Sequence, residues 1–244
     1  MWRSQPDPGR QPLRFELGAL RAEIQRHRYE WTVRYCYNTA GVPTPETLDR
    51  VMAATSDEVS VSFSPRMATS NVMARMDATM RLPVNARVTI YVTTPVWAQC
   101  TVDEDLMLFD LPIELVSMAW FGSSTIHGQL CVSEETRGRV QLRGDAERLD
   151  RIITPVTVIN DGADALTITR LNIPAPSLPV FLEEDSGLLW TPEVSIKREK
   201  ELDTAKLSVA DTAPHQVASA SFVGQPRVES KRSRVELALD LLFA

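Results

Sequence analysis

Apolar and polar side chains alternate with period two along much of this chain. Leu13-Arg14-Phe15-Glu16-Leu17 alternates, Leu20, Ala22 and Ile24 continue the pattern, and after a polar link at 25–28 it returns in Trp31, Val33 and Tyr35. Successive strand side chains point to opposite faces, so this spacing predicts a long hairpin with one buried face. A helix is the rival over 19–28, where Leu20, Ile24 and His27 also fit a helical period; the strand-like flanks favour strands. Residues 38–50 contain Gly41, Pro43 and Pro45 and read as a loop. Val59, Val61 and Phe63 predict a further strand. Val88, Ile90 and Val92 predict another, introduced by Pro83-Val84-Asn85 and ended at Pro95. Trp97, Cys100 and Val102 prolong an extended run. Between these, Met73, Met76 and Met80 have helical spacing, and such a stripe reads as packing rather than a cofactor box.

The second half begins ambiguously. Ile113, Val116, Met118, Trp120 and Phe121 follow neither period, whereas 129–133 and 139–142 read as short strands. A polar stretch at 143–150 then gives way to the β-branched run Ile152–Ile159, a turn signal at Asn160-Asp161-Gly162 and a strand from Leu166. Further strands are expected at 178–182, 188–190, 194–197 and 206–209. The fold class expected is all-β, with two antiparallel β-sandwich-like modules and a short C-terminal tail. Its divisions are a flexible arm at 1–12, an N-terminal sandwich at 13–145, an immunoglobulin-like module at 146–223 and a basic and apolar tail at 224–244. The tail's last apolar residues, from Val235 to Phe243, fit strand and helix spacing alike; Ala, Leu and Glu favour a short helix. Packing on its own module and docking on a partner are both open to so apolar an end. Deleting it is expected to change association more than stability.

Composition narrows the class. The 244 residues are 43% hydrophobic and 24% charged, with a net charge of −6, which is ordinary for a globular chain and unlike a basic nucleic-acid binder. Cys36, Cys100 and Cys131 are odd in number and match no zinc spacing, so buried reduced thiols are expected. The polar, Pro-rich start lacks a signal-peptide core, and no window approaches the roughly 18 apolar residues of a membrane span. A cytoplasmic protein without a transmembrane segment is therefore expected.

Candidate chemistry is sparse. Phosphate-binding glycine loops, a nucleophile elbow and a zinc-protease motif are all missing from the sequence. His27, His127 and His215 lie far apart, and no metal or cofactor is expected. The acidic run at 103–105 reads as a solvated turn, and adjacent carboxylates such as Glu183 and Glu184 would point to opposite faces of a strand. One stretch concentrates unusual residues: Trp120, Phe121, Gly122, His127, Gly128 and Cys131. Its glycines would permit turns that aim side chains into a cleft, and His127 could activate the Cys131 thiol. The plainer reading is a loop returning into a strand, with Cys131 buried, His127 on the rim, and Trp120 and Phe121 as buried aromatics. A non-catalytic binding or scaffolding protein acting through protein–protein contacts or self-association is the leading expectation. A small-molecule-binding protein or hydrolase with its site at 120–131 is the alternative.

Leu17-Gly18-Ala19-Leu20, Tyr29-Glu30-Trp31, the run from Val88 to Trp97, Trp120-Phe121-Gly122, Gly128-Gln129-Leu130-Cys131, Arg151–Val156, Asn160-Asp161-Gly162 and Leu189-Trp190-Thr191 occur in this order along 13–210. Order and spacing together resemble an uncharacterised prokaryotic family, domain-of-unknown-function family 432. The resemblance implies no activity. It implies that 67–80 is an extended lead-in to the strand at 88–92. It also places such genes near those of mechanosensitive channels, which makes a membrane-protein partner one expectation.

Overall fold

The computed structural model describes residues 2, 4–6, 11–28, 30–52, 59–103, 105–122, 126–133, 137–142, 148–199, 204–228, 235–238 and 243. Strand accounts for 63% and helix for 2%. In chain order the strands are β1 (Ser4–Pro6), β2 (Leu13–Leu17), β3 (Leu20–His27), β4 (Glu30–Thr39), β5 (Val42–Pro43), β6 (Thr47–Met52), β7 (Ser60–Arg66), β8 (Val72–Leu82), β9 (Ala86–Pro95), β10 (Trp97–Val102) and β11 (Leu106–Pro112). They continue with β12 (Met118–Phe121), β13 (Gln129–Val132), β14 (Arg137–Arg139), β15 (Arg151–Asn160), β16 (Leu166–Ile173), β17 (Val180–Glu183), β18 (Leu189–Trp190), β19 (Val194–Arg198), β20 (Thr204–Val209), β21 (Ala220–Gly224) and β22 (Val235–Ala238). The expected all-β class is the observed one.

The chain forms two compact units, one of Met1–Arg66 with Val96–Leu115 and the other of Met67–Pro95 with Val116–Ala244. This division does not follow a cut near residue 146. β9 pairs with β14 on one edge and with the whole of β15 on the other, so one sheet runs through that point. β14 and β15, which flank this stretch in the chain, both pair with β9 and belong to the same unit, while residues 143–147 lie outside the described residues.

In the first unit, β2, β3 and β4 form the predicted hairpin array, with Leu20, Ile24, Trp31 and Val33 fully buried. A second sheet has the order β1-β7-β10-β11. Phe15 of the first sheet meets Phe63 and Phe109 of the second at ring separations of 4.8 and 6.2 Å, so the sheets face one another through an aromatic layer. Two expectations change here. Residues 38–50 are not a plain loop, because β5 and β6 both pair along β4. β6 is mostly exposed on both faces, and a strand without a buried face carries no alternation to read. The arm at 1–12 contains β1, whose Ser4–Pro6 pairs with β7 at the sheet edge, where a proline costs no ladder bond.

In the second unit, β15 is buried along nearly its whole length. β9 lies antiparallel on one side, and β18 and β19 lie parallel on the other. A strand covered on both faces reads as a continuous apolar run, which explains Ile152–Ile159. β8 is extended, as the family resemblance implies, and pairs with β16. Its methionines do not form a stripe, since Met73 packs with Phe121 and Cys131 whereas Met76 and Met80 line a groove beside β14. Asn160-Asp161-Gly162 is not a hairpin turn. β15 stops there and the chain crosses to pair β16 with β8, Asn160 being the anchor of the crossing. Residues 235–238 of the tail are strand rather than helix: β22 pairs with β20, and Phe243 is buried and bridges Leu171 of β16. The free edge of β20 supplies backbone partners that outweigh the helical propensity of an isolated segment. No helix among the described residues is long and apolar enough to cross a membrane.

Candidate functional site

β12 and β13 form an antiparallel hairpin at the outer end of the second unit's sheet, and β13 is tied to β8 at Val132 and Val72. The register sets Trp120 opposite Leu130 and Ala119 opposite Cys131. Directly opposed residues share a face, so alternation sorts the hairpin into two sides. Phe121 and Cys131 are fully buried with Met73, and Ala119 packs against them. On the outer side Met118, Trp120 and Leu130 are 48%, 41% and 59% exposed, and Ile126 near the tip is 83% exposed. The expectation that Trp120 and Phe121 are buried together is therefore corrected. Neighbours on a strand face opposite ways, and only Phe121 faces inward.

The two glycines serve close approach rather than an unusual turn. A Cβ at Gly122 would lie 2.2 Å from the His127 carbonyl oxygen and 2.5 Å from the Gly128 Cα. One at Gly128 would lie 2.5 Å from the Phe121 carbonyl oxygen and under 3 Å from two Trp120 ring atoms. The neck of the hairpin closes because neither position carries a side chain. Ser123, Ser124 and Thr125, the hydroxyl run between them, lie outside the described residues.

His127 is exposed and Cys131 is buried. The Cys131 thiol approaches the Gln129 carbonyl at 3.9 Å and Asn172 Oδ1 at 3.8 Å, and burial pushes its pKa up to about 11. Near neutral pH it is a protonated thiol, which is a poor nucleophile. Sequence reading missed the support behind the hairpin. The Arg170 guanidinium lies 5.4 Å over the Phe121 ring, and Asn172 is buried beside Cys131. Both come from β16, far away in the chain, and no local pattern could have signalled them.

Most of the remaining polar candidates have structural partners. Asp103 accepts from the Ser60 backbone N–H at 2.8 Å. Glu183 accepts from Trp190 Nε1 and Ser186, whereas Glu184 accepts from Ser219 and Ser221, so the adjacent carboxylates point apart. His215 Nδ1 lies 3.4 Å from Glu193, and His27 is exposed on β3. Among the described residues no group of three His, Cys, Asp or Glu side chains could hold a metal. A shallow groove of about 180 Å³ lies between β8 and β14, lined by Met76, Asp77, Met80, Gly138, Arg139 and Gln141.

All three thiols are free, with Cys100 and Cys131 buried and Cys36 half-buried. A thiol reagent is expected to label Cys36 in the native protein and the other two only after unfolding. Equal labelling of all three in the native state would contradict this burial. The same burial predicts sensitivity to alkali. The Cys131 pKa rises from 9.0 to about 11, and that of Tyr37 from 10.0 to about 12, the latter by burial and then by its neighbour Tyr35. The folded state holds these protons more tightly than the unfolded one. Their stabilisation is therefore complete below the unfolded values and is lost as pH rises through the folded ones. Chemical denaturation midpoints should hold up to pH 9.0 and fall on the way to about 11; a flat profile would contradict it.

No curated protein and no solved structure matches the chain. A family model described as "Protein of unknown function (DUF432)" matches residues 1–242. The order of strands and motifs along the chain and this match agree, and the chain belongs to that family.

Proposed function

We propose that this protein is a non-catalytic binding and scaffolding module that assembles through the outer face of the β12–β13 hairpin, and that the partner is a second copy of the chain. The observation that carries the reading is the exposed, charge-free edge. No Asp, Glu, Lys or Arg occurs from Leu115 to Ser133 in a chain that is 24% charged, yet Met118, Trp120 and Leu130 face outward there. β12 is the outermost strand and has none of the usual protections of an edge, neither charge, proline nor bulge. Two copies with a net charge of −6 repel elsewhere and least at this stretch. Antiparallel self-pairing centred on Ala119 would set Met118 of each copy opposite Trp120 of the other. This gives the self-complementary contact that a two-fold axis requires.

Sedimentation equilibrium of the full chain tests the reading. The wild type should form a dimer whose population rises with concentration. Met118→Glu should be monomeric, because the two-fold places each added charge in the β12 contact, while its stability stays within the small range of a surface substitution, about 0.5 kcal/mol. A wild type that remains monomeric, or a Met118→Glu dimer of unchanged affinity, would overturn the second copy as partner.

A further inference from the structure

β16, β8 and β14 lie side by side, and their register aligns three arginines. Arg170 stands opposite Arg75, and Arg75 stands opposite Arg137. Directly opposed residues share a face, and strands lie about 4.8 Å apart, so the row spans roughly 10 Å. Arg139 and Asp77 follow two residues further along the same face. Asp77 accepts from Arg139 Nε at 2.8 Å and pairs with Arg137 at 3.7 Å, so its carboxylate is already engaged. Among the described residues no carboxylate pairs with Arg75 or Arg170. Arg170 is instead held by the Phe121 ring and by Met73, whose sulfur lies 3.9 Å from Nη1.

Like charges directly opposed across strands destabilise a sheet. Here the opposition occurs twice in succession, in a protein with a net charge of −6. Folding gives no reason for Arg75, the middle of the row, since an exposed strand position accepts Thr or Gln as readily. An anion bound across the row would supply the reason. Guanidinium forks match phosphate oxygens in pairs. A row of this length offers more donors, over a longer span, than one carboxylate can use. Stacking on Phe121 fixes Arg170 before any ligand arrives.

We propose that Arg75, Arg137 and Arg170 form a binding site for a ligand with linked phosphoryl groups, a diphosphate or triphosphate chain. The site is separate from the outer face of the hairpin. Free polyphosphate, a nucleotide and a polyphosphorylated lipid headgroup share this chemistry.

Calorimetric titration of the full chain with inorganic tripolyphosphate tests the site. Saturable binding that weakens as salt is raised is expected. Arg75→Gln should weaken it about tenfold, the scale of one charge-assisted hydrogen bond. In the absence of ligand the same variant should melt no lower than the wild type, because a like-charge opposition has been removed. Arg170→Lys keeps the charge but loses the fork and the stacking, and should also bind more weakly. Competition by a nucleoside triphosphate, or by phosphatidylcholine vesicles with and without a polyphosphoinositide, separates the sources. Met118→Glu should bind tripolyphosphate as the wild type does, which keeps this result independent of self-association. Absence of binding, binding unaltered in Arg75→Gln, or equal affinity for a glutamate-rich peptide would each overturn the proposal.

Discussion

Asn160→Ala should lower the melting temperature by roughly 6–12 °C, from a loss of about 3 kcal/mol at some 2–4 °C per kcal/mol. The side chain is fully buried at the end of β15. Its Nδ2 donates to the carbonyls of Leu82, Pro83 and Asp164 at 3.0, 3.2 and 2.8 Å, and its Oδ1 accepts from the Gly162 backbone N–H at 3.1 Å. One amide thereby ties the β8–β9 turn to the crossing from β15 to β16. Truncation leaves buried carbonyls without their donor, and each orphaned group costs about 1–3 kcal/mol. Asn160→Asp separates this account from simple loss of volume. It keeps the acceptor for Gly162 but turns an oxygen toward three carbonyls. It should be at least as damaging at neutral pH and recover partly in acid, where the protonated carboxyl can donate again. Calorimetric melting across pH checks both variants. An Asn160→Ala protein that melts with the wild type would remove Asn160 as the anchor of the crossing.

The elements that were legible in the sequence are those whose burial differs between faces. β3 alternates because one of its faces is buried and the other is not, and β15 reads as an unbroken apolar run because both of its faces are covered. β6 carries no strand signature in the sequence because neither of its faces is buried. The two units escaped notice because they interleave. β9 finds its partner β15 across more than fifty intervening residues, and no local composition records that pairing. At the hairpin, the cluster of Trp120, Phe121, Gly122, Gly128 and Cys131 was visible, but its division into an outer and an inner face depends on strand register. The arginine row was invisible for the same reason. Residues 75, 137 and 170 have nothing in common until three strands bring them into line.

The C-terminal tail is where local propensity misled most, and it carries the other large expected effect. Its helical lean made it a natural candidate for docking elsewhere, whereas β22 extends the edge of β20 and Phe243 is only 6% exposed against β16. Residues 235–238 pair with β20, and Phe243 bridges Leu171 of β16. Phe243→Ala should cost about 3–5 kcal/mol, the usual range for a buried phenylalanine, or roughly 6–20 °C of melting temperature. Truncation after Val228 should cost at least as much, since it also uncovers the backbone of Thr204–Leu207, and an uncovered edge should make the heated protein aggregate. Phe243→Leu should restore most of the loss, because a large apolar group of similar reach still fills the site. If truncation instead left the melting temperature unchanged and altered only the sedimentation profile, the tail would belong to the assembly and not to the core. The dimer contact proposed at β12 would then have to share its role with β22.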